Sequence, residues 1–184
     1  MKGLTKWKKN IFYLLLSITL ITSPVLASEQ TVLSDATALY YSYMKGQDSS
    51  NVPQVEKELL GLMAVSMQYA ATFKGDELID AGNLILKKYP YSKNPNKECM
   101  KPTAYMALTM GHAFCFEFTE AHKALDQLAM YKGKVYGGQD CTELYNQCKK
   151  TLIAIESAYT SAKASGYDVS SARTKLMIKR QLGL

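Results

Sequence analysis

Beyond its first residues the chain has no tryptophan, and in all 184 residues it has only two histidines, His112 and His122. Neither histidine stands in an HExxH or related pattern, so no recognised metalloprotease or hydrolase motif is present. There is no CxxC spacing, which removes the usual signatures of zinc ribbons and thioredoxin-like redox sites. No run alternates apolar and polar residues over strand length, so a β-rich fold is excluded. Acidic pairs such as Glu56 with Glu58, Asp76 with Glu77 and Glu117 with Glu120 suit solvated faces and helix starts, and none of them has a spacing diagnostic of acid/base catalysis.

What is present begins with Met1 to Ala27, which reads as a secretory signal peptide. Lys2, Lys6, Lys8 and Lys9 precede an apolar run from Ile11 to Ile21, and Val25-Leu26-Ala27 offers small residues at a cleavage site. The run is about half the ~20 residues needed to span a bilayer, and Pro24 closes it, so cleavage is favoured over retention as an anchor. No cysteine lies near the cut, which argues against a lipid-anchored product. Residues 28–184 then form one helical domain, with no stable membrane span after cleavage.

The whole chain carries 22 Lys+Arg against 16 Asp+Glu. Four of the lysines and none of the acids lie in the leader, so the remainder has 18 against 16, a net charge of +2. That balance gives no reason to expect a nucleic-acid partner, whose binding rests on neutralising several phosphates at once.

All four cysteines, Cys99, Cys115, Cys141 and Cys148, follow the leader, and an even number in an oxidising compartment predicts two disulfides. With Asp140 to Ala164 as one helix, Cys141 and Cys148 lie ~10.5 Å apart along one face, beyond the ~7 Å a bridge tolerates. Two pairings stay open: Cys99 to Cys141 with Cys115 to Cys148, or Cys99 to Cys148 with Cys115 to Cys141. Each bridge is worth ~2–4 kcal/mol. The alternative, a zinc site built from His112, Cys115, Cys141 and Cys148, ranks below disulfides because of the export signal and the spacing, so no metal and no cofactor is expected.

Helical periodicity fills the rest, predicting an all-α domain of six or seven helices in a disulfide-stabilised bundle. Expected helices run from Ser34 or Asp35 to Lys45, with Leu39, Tyr43 and Met44 inward; from Asn51 and Pro53 to Gly75, carrying Val55, Leu59, Leu62, Met63, Ser66 and Ala70; and from Asp76 to Lys88, stopped by Pro90. Further helices are expected from Pro102 to about Phe116, from Thr119 to Gly133, from Asp140 to Ala164 with Gly166 as terminator, and from Ser170 to Leu182 with Ala172, Leu176 and Leu182 on one side. Gln47 to Val52 and Gly137-Gly138 read as a loop and a turn.

Tyr91 to Lys101 has no period and reads as a surface loop tied down at Cys99. With Tyr89 beside it, this segment is the best candidate for a rigid recognition surface, and Tyr89, Tyr91, Asn94, Pro95, Asn96 and Lys97 are its candidate contact residues. Twelve tyrosines and eight methionines beyond the leader suit an adaptable protein-binding surface, and the same surface admits a homodimer. The expected partner is a protein. A rival reading is an exported enzyme using His112 with a nearby carboxylate.

Leu60-Gly61-Leu62-Met63, then Gly75-Asp76-Glu77-Leu78-Ile79-Asp80 through Lys88-Tyr89-Pro90, then Pro102-Thr103-Ala104 through Ala113-Phe114-Cys115 form a sequence of helix-punctuating motifs. In this order Leu59 to Cys115, about a third of the chain, resembles the exported all-helical immunity proteins that neutralise type VI secretion amidase effectors in the periplasm. Leu60 stands where that family has an early cysteine, and Phe116 to Leu184 lies outside the match. The resemblance implies an inhibitory binder. Gly111, Phe114, Ala121 and Ala124 also resemble a helix-turn-helix repeat of the tetratricopeptide kind, which would imply an envelope or secretion-system scaffold. No second copy at that repeat's period of about 34 residues is evident.

Overall fold

The computed structural model describes residues 29–45, 48–95, 97–136 and 139–183. Met1 to Ala27, Gly46, Gln47, Asn96 and the Gly137-Gly138 turn lie outside the described residues. The all-α expectation holds. The described residues form seven helices: α1 (residues 29–43), α2 (Gln54–Ala71), α3 (Gly75–Lys88), α4 (Met100–Phe114), α5 (Phe118–Ala129), α6 (Cys141–Ala164) and α7 (Ala172–Gln181). Two 3-10 turns, Tyr89–Tyr91 and Lys97–Cys99, join α3 to α4, and a two-residue antiparallel pairing of Val135 with Asp140 precedes α6. Among the described residues no helix is long and apolar enough to cross a membrane.

The punctuation residues explain some boundaries, while α1 starts at residue 29, ahead of Ser34 and Asp35, and α2, α3, α4 and α5 start without a side-chain cap, so Asn51, Asp76 and Thr119 do not serve as caps. The Asp140 carboxylate accepts the Thr142 N–H at 2.7 Å and caps α6. Ser171 caps α7 by accepting from Thr174 at 3.2 Å. Pro102 falls in the first turn of α4, where its missing N–H leaves no bond unmade, so that helix starts at Met100, ahead of the proline.

Two buried faces differ from expectation. On α1 the inward residues are Val32, Ala36 and Tyr40, while Tyr43 is 73 % exposed. The reason lies on α2: Gly61 leaves room for the α1 backbone at Ala36, and a Cβ there would collide with the Ala36 carbonyl. That close crossing sets the rotation of α1. The Tyr69 hydroxyl donates to Asp35 at 2.6 Å and fixes the same pair, and burial together with that carboxylate pushes the phenol well above its usual range. On α7, Thr174 and Ile178 turn inward and Leu176 outward, because α7 packs chiefly on one neighbour, α6.

The helices pair as three consecutive hairpins, α2/α3, α4/α5 and α6/α7, stacked so that α4 touches α2, α3, α5 and α6. Each hairpin turns on a left-handed residue placed two positions after its first helix ends: Phe73 (φ 55°), Phe116 (φ 62°) and Gly166 (φ 82°). A left-handed phenylalanine costs on the order of 1–2 kcal/mol, and ring packing offsets it. Phe73 meets Phe114, at the end of α4, edge-on at 5.4 Å, while Phe116 stacks on Tyr159, late in α6, at 5.6 Å. Each aromatic turn is thus a wedge against the next hairpin.

Consecutive first helices therefore run in the same direction. Phe116 follows the end of α4 and meets the late part of α6, and Cys99 precedes α4 and lies within electrostatic range of Cys141, the first residue of α6. The core between these layers includes Leu59, Leu62, Leu78, Ile85, Phe114, Leu128, Leu152 and Ile155, all essentially inaccessible.

Candidate recognition surface

The connection from α3 to α4 is fixed by one carboxylate. Glu56, in the first turn of α2 and 9 % exposed, accepts the Ser92 hydroxyl at 2.8 and 2.9 Å through its two oxygens, and the Lys93 N–H at 2.7 Å. The Ser92 oxygen in turn accepts the Asn94 N–H at 3.1 Å. A buried carboxylate without partners would cost several kcal/mol. Charge-assisted bonds satisfy it here and freeze the backbone of residues 92–94.

The other end of the loop is strapped from within. Lys97 Nζ donates to the carbonyls of Pro90 and Ser92 at 3.3 Å each. Lys101 lies 4.5 Å from the centre of the Tyr89 ring and pairs with Glu98 at 3.0 Å. The Tyr89 hydroxyl first, and Glu98 after it, hold the Lys101 ammonium above the ordinary lysine range.

On this strapped loop Tyr91 stands 74 % exposed, with Lys93 and Pro95 exposed beside it. Of the residues expected in the surface, Tyr91, Asn94, Pro95 and Lys97 do share this loop, and Asn96 lies outside the described residues. Tyr89 has a different task. It is half-buried and forms the floor on which Lys97 and Lys101 rest. Ser92, Glu98 and Lys101 were not singled out by sequence. Glu56 is corrected from a solvated position: the apolar stripe Leu59, Leu62, Ser66, extended back one turn, falls on it and places it facing the core. Glu58 is likewise engaged, by Lys88 at 2.7 Å.

The two expected disulfides are not found: all four cysteines are unpaired. The parallel course of α4 and α6 explains why two bridges do not form together. Cys99 and Cys141 share one end of the stack. Cys115 lies at the other end beside Phe116, level with Tyr159, roughly 16 Å along α6 from Cys148 and further still from Cys141. Cys148 is buried against the middle of α4. Both pairings left open by the sequence need a bond from Cys115 that this arrangement does not allow. The same separation keeps His112, Cys115, Cys141 and Cys148 from meeting as a zinc site.

His112 Nδ1 lies 2.7 Å from Glu117 Oε2, and the Cys115 thiol donates to Asp76 at 3.4 Å. Glu117, Asp76 and Cys115 border a cleft of about 450 Å³ between the α4/α5 turn and α7, where Lys175 and Lys179 each sit 5.9 Å from the Phe116 ring centre. Burial, reinforced by Asp76, pushes the Cys115 thiol up to about 12, which keeps it protonated and a poor nucleophile at neutral pH. His122 pairs with Glu156 at 3.0 Å on an exposed surface, away from any of these groups.

A second concavity of about 280 Å³ opens where the three first helices lie side by side. Met67 of α2, Met106 and Met110 of α4, and Leu144 and Cys148 of α6 line it. No protein-family model, curated protein or solved structure matches the chain.

Proposed function

We propose that the protein is an exported protein-binding module whose contact surface is the Tyr89–Cys99 loop, acting as an inhibitor or immunity protein toward a secreted effector. The observation that carries this reading is the loop itself: a buried carboxylate, Glu56, holds its backbone while Tyr91 projects 74 % exposed. A contact loop ordered before binding avoids the ordering cost of association, and a rigid tyrosine at its crest is a frequent centre of binding energy. The leader at Met1 to Ala27 supports export, and the resemblance of Leu59 to Cys115 to immunity proteins against type VI amidase effectors supports the inhibitory role.

One cross-link belongs to this reading. In an oxidising compartment Cys99 and Cys141, unpaired here but at the same end of the stack, would be the pair to join, each thiol losing a proton and together two electrons to a disulfide oxidant, while Cys115 and Cys148 would stay reduced. The bond would clamp the loop's second end to α6 as Glu56 clamps its first, and would add about 4 kcal/mol by loop closure.

The test compares capture by the immobilised wild-type protein, Tyr91→Ala and, as a control on α1, Tyr43→Ala. The reading expects a protein held by wild type and Tyr43→Ala and released by Tyr91→Ala, with affinity falling roughly thirtyfold or more. The captured protein is expected to be an amidase that the wild-type protein inhibits. Equal capture by Tyr91→Ala overturns the surface, and capture without inhibition overturns the inhibitory role. The stacked hairpins with a shared left-handed turn favour a second reading, a scaffold that holds partners along its first helices.

A further inference from the structure

We propose that the concavity between α2, α4 and α6 is a soft-metal site that takes one Cu(I) ion on the sulfurs of Met67, Met106, Met110 and Cys148. Four sulfur-bearing side chains from three helices line one cavity of about 280 Å³, and the rest of the wall is Ala70, Leu144, Gln147 and Thr151, with no carboxylate or imidazole among the described residues that line it. Met106 and Met110 lie one turn apart on α4 and so present their thioethers on one face. Met67 approaches from α2 and Cys148 from α6. Each methionine has three rotatable bonds, which lets its sulfur swing toward an ion in the cavity.

The donor set chooses the ion. Thioethers and a thiolate are soft, uncharged or singly charged ligands that favour Cu(I), whereas Mg(II), Ca(II) and Mn(II) need oxygen. On binding, the Cys148 S–H bond breaks, its proton passes to solvent and a copper–sulfur bond forms with no change in oxidation state. The resulting Cu(I)–thiolate pair is neutral, which suits a buried position. Without the ion, burial keeps this thiol protonated, its pKa pushed up to about 12. The site is separate from the Tyr91 loop, so its failure and the failure of the binding reading are distinguishable.

The test titrates the purified, reduced protein with Cu(I) under anaerobic ascorbate, in competition with the chromophoric chelator bicinchoninate. One equivalent of copper is expected to move to the protein. The volume-conserving double variant Met106→Leu/Met110→Leu is expected to weaken binding at least tenfold without lowering Tm, and Cys148→Ser to weaken it as well. Copper-edge X-ray absorption of the wild-type complex should show sulfur neighbours only, a readout that holds even if a variant fails to fold. No transfer from the chelator, an unchanged affinity in the double variant, or nitrogen neighbours at copper would each overturn the proposal.

Discussion

Replacing Glu56 by alanine removes the acceptor on which the proposed recognition loop is built. The Ser92 hydroxyl and the Lys93 N–H then lose an ionised partner at 2.8 and 2.7 Å, in a place where Ser92 is buried. Hydrogen bonds to a charged group contribute roughly 1.5–3 kcal/mol each, so two give an upper range of roughly 3–6 kcal/mol. Because the loop lies at the surface, water can enter as it loosens, and the expected loss is nearer 2–4 kcal/mol. Glu56→Gln keeps an acceptor oxygen and loses only the charge assistance, about 1 kcal/mol. Amide hydrogen exchange separates these outcomes from a general weakening. In Glu56→Ala, the Lys93 and Asn94 amides should exchange at least tenfold faster while the amides of α4 slow or quicken only with global stability. Unchanged protection at Lys93 would show that the carboxylate does not hold the loop.

Gly111→Ala should lower Tm through a loss of about 1–3 kcal/mol, since a Cβ at Gly111 would lie 2.8 Å from the Gly75 carbonyl oxygen and 2.9 Å from the Ile79 nitrogen, both backbone atoms of α3. Burial opposes ionisation of Glu58, but hydrogen bonds from Lys88 and Gln54 and the Lys88 charge outweigh it and hold the carboxyl below its usual 4.5. A lowered folded-state pKa means that this stabilisation is complete at neutral pH and fades as pH falls below about 4.5 toward the folded value; Lys88→Met should therefore cost up to about 1 kcal/mol at pH 7 and flatten urea-denaturation stability across that acidic range. Phe116→Ala keeps the left-handed backbone and loses the contacts with Phe118 and Tyr159, whereas Phe116→Gly loses the same ring and relieves the strain. The glycine variant should be the more stable of the two by about 1 kcal/mol in chemical denaturation; the opposite order would refute the strain assigned to this left-handed turn.

Helix boundaries were legible where single residues impose them. Pro90 follows the end of α3, Asp140 caps α6 and Gly166 follows it, each through backbone geometry or a local hydrogen bond that needs no tertiary information. Gly75, expected to end the second helix, instead opens α3 in close contact with α4, and Asp76 does not cap it. The stacking of hairpins was hidden because two of its three turns use phenylalanine in a conformation that glycine usually supplies, and because the turns are unevenly spaced. Cysteine pairing depended on the relative direction of α4 and α6, which periodicity within one helix does not contain. In the α3–α4 loop, Tyr91 and its neighbours were visible as an aperiodic tyrosine-, proline- and asparagine-rich stretch. The group that holds the loop, Glu56, lies 36 residues before Ser92 in sequence, and its charge argued for solvent until packing placed it inside.

The account rests on a preformed loop that meets a partner, and hydrogen exchange of the protein with and without its captured partner tests this most directly. Slowed exchange confined to residues 89–99 and the adjoining first turns of α2 and α4, on a loop already protected at Lys93 when free, is the predicted result. Protection that instead appears along α5 or α7 with the loop unchanged, or a Lys93 amide that is unprotected until the partner binds, would contradict it.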